Sequence, residues 1–130
     1  MSSNVKDTVD NILKNVPGII GLMLMDSDGM PIYKNGRFDI SPSKLSAMTS
    51  ACHACIVQIG KRLNQSLITT LVEYESIKIY HLGLDLGNQL IVLTKTKESQ
   101  FGMLKVAATK AMTEFSQSMN LRKEAGQHNL

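Results

Sequence analysis

The segment Gly21–Ile32 constrains the fold more than any other, because it combines an apolar run, a tight turn and a proline. Leu22–Met25 is apolar without alternation, so both faces of the strand it forms must be covered. Asp28-Gly29 supplies a residue that tolerates positive φ, as a hairpin reversal requires. Pro31 lacks a ladder donor, which places the second strand at a sheet edge. The segment predicts a small sheet with helices on both faces.

The composition is that of a single globular domain. The chain has 130 residues, of which 43% are hydrophobic and 19% charged, and its net charge is +3. Lysine and arginine are scattered and not interleaved with aromatics, which argues against nucleic-acid binding. We find no signal-peptide pattern and no apolar run of roughly 20 residues, so we expect a cytoplasmic protein without membrane insertion.

The remaining elements follow from helical and strand periodicity. An amphipathic helix around Val5–Val16 ends at Pro17-Gly18, and Ser41-Pro42 begins a second helix that runs to about Arg62. Strands are expected at Leu67–Glu73, Ile77–Leu84 and Gln89–Thr94, and a last helix at about Ser99–Leu121. Residues 1–121 are therefore assigned to one domain of order α-β-β-α-β-β-β-α, and residues 122–130 to a polar tail.

The strand order can also be argued. Ile19–Met25 and Leu90–Leu93 are apolar on both faces, so both strands should be interior and adjacent. The first two strands form a hairpin and the last three a meander. These constraints predict an α+β fold, a three-layer α-β-α sandwich with a five-stranded antiparallel sheet of order 2-1-5-4-3.

The third strand is predicted to be an unprotected sheet edge. It carries neither proline nor lysine, the residues that usually blunt such an edge. We expect it to pair with the same strand of a second copy and form a homodimer. Coverage by loops or a helix end is the alternative. The residues of this edge strand are Leu67, Ile68, Thr69, Thr70, Leu71 and Val72.

The second helix has two distinct sides. The residues expected to face the core are Leu45, Met48, Cys52, Ile56, Ile59 and Leu63. On the other side small, uncharged residues occupy positions where a solvated helix carries charges, and small side chains let another backbone approach. We expect this side to dock a twin helix or a different protein, although helix propensity alone would also permit exposed alanines. Its residues are Ala47, Ser50, Ala51, Ala54, Val57 and Lys61.

Candidate catalytic and metal-binding residues are few. Cys52, His53 and Cys55 lie within one helix, but adjacent helical positions diverge by about 100°, so the three cannot converge on a metal. The cysteines also lie far from a helix N-terminus, where a thiol is activated. The segment Gly83–Gly87 lacks the ending of a nucleotide loop, and His81 is expected to be structural. We expect no enzyme, no cofactor and no metal.

This arrangement resembles the Roadblock/dynein light-chain family. The resemblance rests on Gly21-Leu22, on Asp28-Gly29-Met30-Pro31-Ile32, and on Ile12-Leu13 followed by Val16-Pro17-Gly18-Ile19. It covers roughly Val5–Met119. The final helix is similar to that of prokaryotic members, which makes a motor-subunit role less fitting.

The resemblance implies a Roadblock/profilin-like homodimer whose outer strands form one continuous sheet. It also implies an adaptor whose middle helices bind, and can regulate, a Ras-like small GTPase or scaffold a complex containing one. Bacterial relatives stimulate GTP hydrolysis without a catalytic arginine, and Arg37, Arg62 and Arg122 match no arginine-finger motif. Two alternatives remain: a small-molecule sensor with a pocket lined by methionines and Cys52 or Cys55, and a thiol redox or metal protein using those cysteines.

Overall fold

The computed structural model describes residues 2–84, 87–95, 102–110 and 113. Residues 102–110 are helical and are called α3. The predicted order of elements is confirmed. The rest of the last helix predicted to end at Leu121, and the tail 122–130, lie outside the described residues. The other elements are α1 (Ser2–Asn15), β1 (Ile19–Met25), β2 (Pro31–Gly36), α2 (Pro42–Arg62), β3 (Thr69–Glu73), β4 (Ile77–Gly83) and β5 (Gln89–Lys95).

The five strands form one antiparallel sheet in the order β2-β1-β5-β4-β3, as predicted. The two apolar strands β1 and β5 are adjacent, with Leu22 opposite Val92. The outer strand β3 begins at Thr69, two residues later than expected. Ile68 still accepts a hydrogen bond of 3.3 Å from the N–H of Gly83, so the chain already follows β4 before the strand starts.

Helices cover both faces of the sheet, which gives the predicted three layers. Successive side chains of β1 and β5 point to opposite faces, so each strand contributes to two apolar clusters. The first cluster joins the sheet to α1 and α3 through Val9, Ile12, Val16, Leu22, Leu24, Tyr80, Leu82, Leu90, Val92, Leu104 and Ala108. The second lies on the α2 side and consists of Met23, Met25, Leu45, Ile91 and Leu93.

The β1–β2 hairpin reverses through the predicted turn. The Asp26 carboxylate accepts hydrogen bonds of 2.9 Å from the backbone N–H groups of Asp28 and Met30. Gly29 adopts a φ of +82°, and its carbonyl oxygen accepts a hydrogen bond from the Ser46 hydroxyl of α2. The turn therefore also fixes the start of α2 over the end of β1.

Helix α2 is rotated relative to the prediction from its apolar periodicity. Of the six residues expected to face the core, only Leu45 is buried. The side that faces the sheet consists mainly of small or polar residues: Ser46, Thr49, Ser50, His53 and Val57. The predicted core stripe was therefore wrong beyond Leu45. The physical reason is that small side chains let the helix approach a sheet face that is already apolar.

Candidate interaction surface

Strand β3 is an open edge in the single chain. Among the described residues it pairs with β4 alone. Leu71 and Val72 are exposed, Ile68 is 66% exposed, and Leu67, Thr69 and Thr70 are partly buried. The edge therefore presents both free ladder groups and apolar side chains, a combination that favours pairing with another strand.

The predicted docking residues on α2 lie in two environments. Ala47, Ala51, Ala54 and Lys61 are exposed, whereas Ser50 and Val57 are partly buried. The hydroxyl of Ser50 lies over Gly29, where an added Cβ would collide with it. Ala47, Ala51 and Ala54 occupy successive turns of the helix and leave a shallow surface of small side chains, and Lys61 follows two turns later. We call these four residues the alanine surface.

A second surface on α2 was missed because its residues were assigned to the core. Met48, Ile59 and Leu63 are about 60% exposed (61%, 59% and 65%), and Ile56 is 37% exposed. The signal was present in the sequence, since these residues recur at helical spacing, but periodicity does not say whether an apolar side meets its own core or another chain. We call this group the apolar stripe: Met48, Cys52, Ile56, Ile59 and Leu63.

The cysteine-histidine segment does not form a single site. Cys52 and Cys55 are free and exposed, whereas His53 turns toward the sheet. The described residues contain no cluster of three or more histidine, cysteine or acidic side chains able to hold a metal ion. Cys52, which was expected to face the core, is instead exposed.

His53 stacks on His81 of β4. The ring centroids are 4.4 Å apart and the ring planes differ by 24°. His81 is only 4% exposed, and its Nε2 lies 2.6 Å from Oε1 of Gln89. Burial lowers the pKa of His81; the Gln89 hydrogen bond opposes this shift, and the charge of His53 adds to it. His81 is therefore a buried residue held by a stacked ring on one side and a hydrogen bond on the other.

Two cavities lie on the α2 side of the sheet. One, of about 510 Å³, is bordered by Tyr74, Ile77 and Leu93 among others at the end of the sheet that α2 leaves uncovered. The other, of about 460 Å³, lies between α2 and the strand ends and is bordered by His53, Val57, Lys61, Asn88 and Gln89 among others. Neither is lined by a methionine or cysteine, so neither is the pocket expected for a small-molecule sensor.

Within the described residues, no helix has the length and apolar character needed to cross a membrane.

Comparisons with known proteins identify the domain type. The Roadblock/LC7 domain profile matches residues 5–94. The Drosophila melanogaster Ragulator complex protein LAMTOR3 homolog is 29% identical over 89 residues, covering 65% of this chain and 71% of its own. Myxococcus xanthus MglB superposes with a TM-score of 0.80 at 18% identity, covering 91% of this chain and 89% of that one. An MglB with a tetrameric arrangement gives 0.74 at 13% identity, covering 85% and 83%.

Proposed function

Because this chain belongs to the Roadblock/LC7 domain family, we propose that it is a homodimeric adaptor that binds and regulates a Ras-like small GTPase without catalytic residues of its own. The observation that carries the proposal is the open β3 edge together with two accessible surfaces on α2. An adaptor needs separate surfaces for self-association and for its partner, and the chain offers candidates for both.

Self-association is assigned to β3 and the apolar stripe. Pairing of β3 with its twin would satisfy the free ladder groups and bury Ile68, Leu71 and Val72, which are 66%, 50% and 46% exposed in the single chain. A two-fold axis through this edge makes the contact self-complementary, and residues of the apolar stripe could add buried apolar area. The tetrameric arrangement named for one MglB supports assembly as a property within this fold.

Partner binding is assigned to the alanine surface. Ala47, Ala51 and Ala54 leave the α2 backbone open to close approach, and Lys61 adds a positive charge at one end. Since the chain has no nucleotide-loop ending, the GTP would belong to the partner. The Drosophila relative is named as a protein of a complex, which supports the adaptor class. Regulation would act by shifting the partner's conformational population.

The test uses the full chain and Ras-like GTPases encoded in the same genome. Each GTPase is loaded with GDP or a non-hydrolysable GTP analogue, and binding is measured by titration calorimetry. Single-turnover hydrolysis is then followed with and without the protein. We expect Ala51→Arg to weaken binding at least about tenfold, roughly 1.4 kcal/mol. Val106→Arg, an exposed position on α3 at the opposite sheet face, is the matched control.

Two results would contradict the proposal. The first is the absence of binding and of any change in hydrolysis with every such GTPase. The second is equal loss of binding for Ala51→Arg and Val106→Arg, because the alanine surface would then have no specific role.

A further inference from the structure

The middle of α2 rests on a polar contact instead of on apolar packing. Helix α2 has 21 residues. Among the described residues, Leu45 is the one residue of this helix that belongs to the buried apolar cluster on this face of the sheet. Ser46, the residue that follows Leu45, donates a hydrogen bond from its hydroxyl to the backbone carbonyl oxygen of Gly29. The next sheet-facing contact along the helix that involves a large side chain is that of His53 with His81. The attachment of the central turns therefore depends strongly on this histidine pair.

The surrounding hydrogen bonds fix the tautomer of the neutral His81 ring. The side-chain Nε2 of Gln89 donates to the backbone carbonyl oxygen of Asp26 at 3.3 Å. A carbonyl can only accept, so Oε1 of Gln89 is the end that faces His81. His81 must then donate from Nε2, which leaves Nδ1 of the neutral ring without a proton. Any added proton would go to Nδ1 of this buried ring.

The environment of the pair contains no described group that would balance such a proton. The ring of His81 stacks on His53 of α2 and is hydrogen-bonded to Gln89 of β5. On β3, the residue paired with His81 is Thr70. The Asp26 carboxylate is engaged by its own turn through the N–H groups of Asp28 and Met30.

The charged group that shares the adjoining cavity with His53 is Lys61, also positive. Nδ1 of His53 is itself buried and has no hydrogen-bond partner among the described residues. A proton on Nδ1 of His53 would therefore find no hydrogen-bond acceptor among the described residues. A cation on one ring would also face the other ring at 4.4 Å.

We propose that the His53–His81 contact is a pH-sensitive attachment of α2, which loosens from the sheet when acidification places a proton on this histidine pair. The neutral stack stabilises the packed helix, and a charged ring is better solvated when the helix lifts away. The inference concerns the attachment of α2 and does not depend on the identity of a partner.

The direction of the pH dependence follows from linkage. The folded-state pKa of His81 lies below the ordinary value of 6.5, mainly because of burial. The contribution is therefore fully present above about pH 6.5 and is lost as the pH falls from there toward the folded-state pKa. Uptake of one proton on opening raises the opening equilibrium constant by at most about tenfold per pH unit.

Native-state hydrogen exchange of the full chain tests the proposal. Amide exchange is followed by mass spectrometry at pH 7.5, 6.5 and 5.5 and corrected for intrinsic rates. We expect opening of Pro42–Arg62 to increase at least about threefold between pH 6.5 and 5.5, while β1 and β5 stay protected. His53→Phe keeps a stacked ring that cannot take up a proton and should reduce this increase. His128→Gln removes the third histidine of the chain and should leave it unchanged.

The His128→Gln chain also permits a direct titration, because His53 and His81 are then its two histidines. Their imidazole Hε1 resonances should show His81 titrating below about pH 6.5. The proposal is overturned if α2 exchange does not change with pH. It is equally overturned if His53→Phe and His128→Gln show the same pH dependence, or if His81 titrates at or above about pH 6.5. If His53→Phe does not fold, the pH dependence of α2 exchange in the wild-type protein tests the proposal by itself.

Discussion

The Asp10 carboxylate of α1 accepts a hydrogen bond of 2.6 Å from Nδ2 of Asn35 on the edge strand β2. The same oxygen accepts a second hydrogen bond, of 3.2 Å, from the Tyr33 hydroxyl. Strand β2 contributes little to the two apolar clusters, since most of its residues are exposed. These polar contacts therefore tie the outer strand to the helix that covers it.

Asp10→Ala should destabilise the domain by removing this acceptor. We expect a loss of about 1–2 kcal/mol in the free energy of unfolding, because a partly buried amide then lacks its charged partner. Urea denaturation followed by circular dichroism measures the change. Asp7→Ala, at an exposed position of the same helix, is the matched control and should stay within about 0.5 kcal/mol of the wild type. Equal stability of the two variants would contradict the role of this contact.

Gly36→Ala should be strongly destabilising, whereas Gly83→Ala should be tolerated. Gly36 has a φ of +96°, and an added Cβ would collide with the Ile20 carbonyl oxygen. We expect a cost of at least about 2 kcal/mol from backbone strain and this clash. At Gly83 the nearest atom, the Ile68 carbonyl oxygen, is 4.0 Å from the new Cβ. Thermal denaturation of both variants should show a clearly lower midpoint for Gly36→Ala alone.

Leu71→Lys should weaken the proposed dimer. The substitution places a charge on the open edge β3, where Leu71 is 50% exposed in the single chain. We expect the dissociation constant from sedimentation velocity to rise at least about tenfold, or roughly 1.4 kcal/mol. Ile32→Lys makes the same change on the opposite edge strand, where Ile32 is 45% exposed, and should leave the dimer intact. A monomeric wild-type protein at high concentration would contradict the self-association itself.

The cysteine thiols should report on the same assembly. Cys52 and Cys55, the two cysteines of the chain, are exposed in the single protomer, so both should react rapidly with an aromatic disulfide reagent without denaturant. If the apolar stripe packs against a second copy, labelling of Cys52 should slow as the protein concentration rises. The Leu71→Lys variant should stay fast at every concentration. Slow labelling of this variant would indicate that the thiols are shielded within one chain.

The sheet and its order could be predicted because local sequence and burial agree there. Leu22–Met25 and Leu90–Leu93 are apolar on both faces, and only an interior position covers both faces of such strands. Pro31 removes a ladder donor, and Gly29 supplies the positive φ of the turn, so the edge and the reversal follow directly. These properties belong to single residues and their immediate neighbours.

Which side of α2 meets the sheet, by contrast, was decided by tertiary packing. The helix carries an apolar side and a side of small residues, and its sequence pattern permits either to face inward. The sheet face beneath it is already filled by Met23, Met25, Ile91 and Leu93, and the helix meets the end of β1 through the small residues Ser46 and Ser50, which contact Gly29. The His53–His81 stack likewise joins residues on two distant elements. The strands and the turn could be predicted from the sequence because they depend on local residues. The orientation of α2 and the histidine contact could not, because they depend on the shape of a surface that exists only once the sheet has formed.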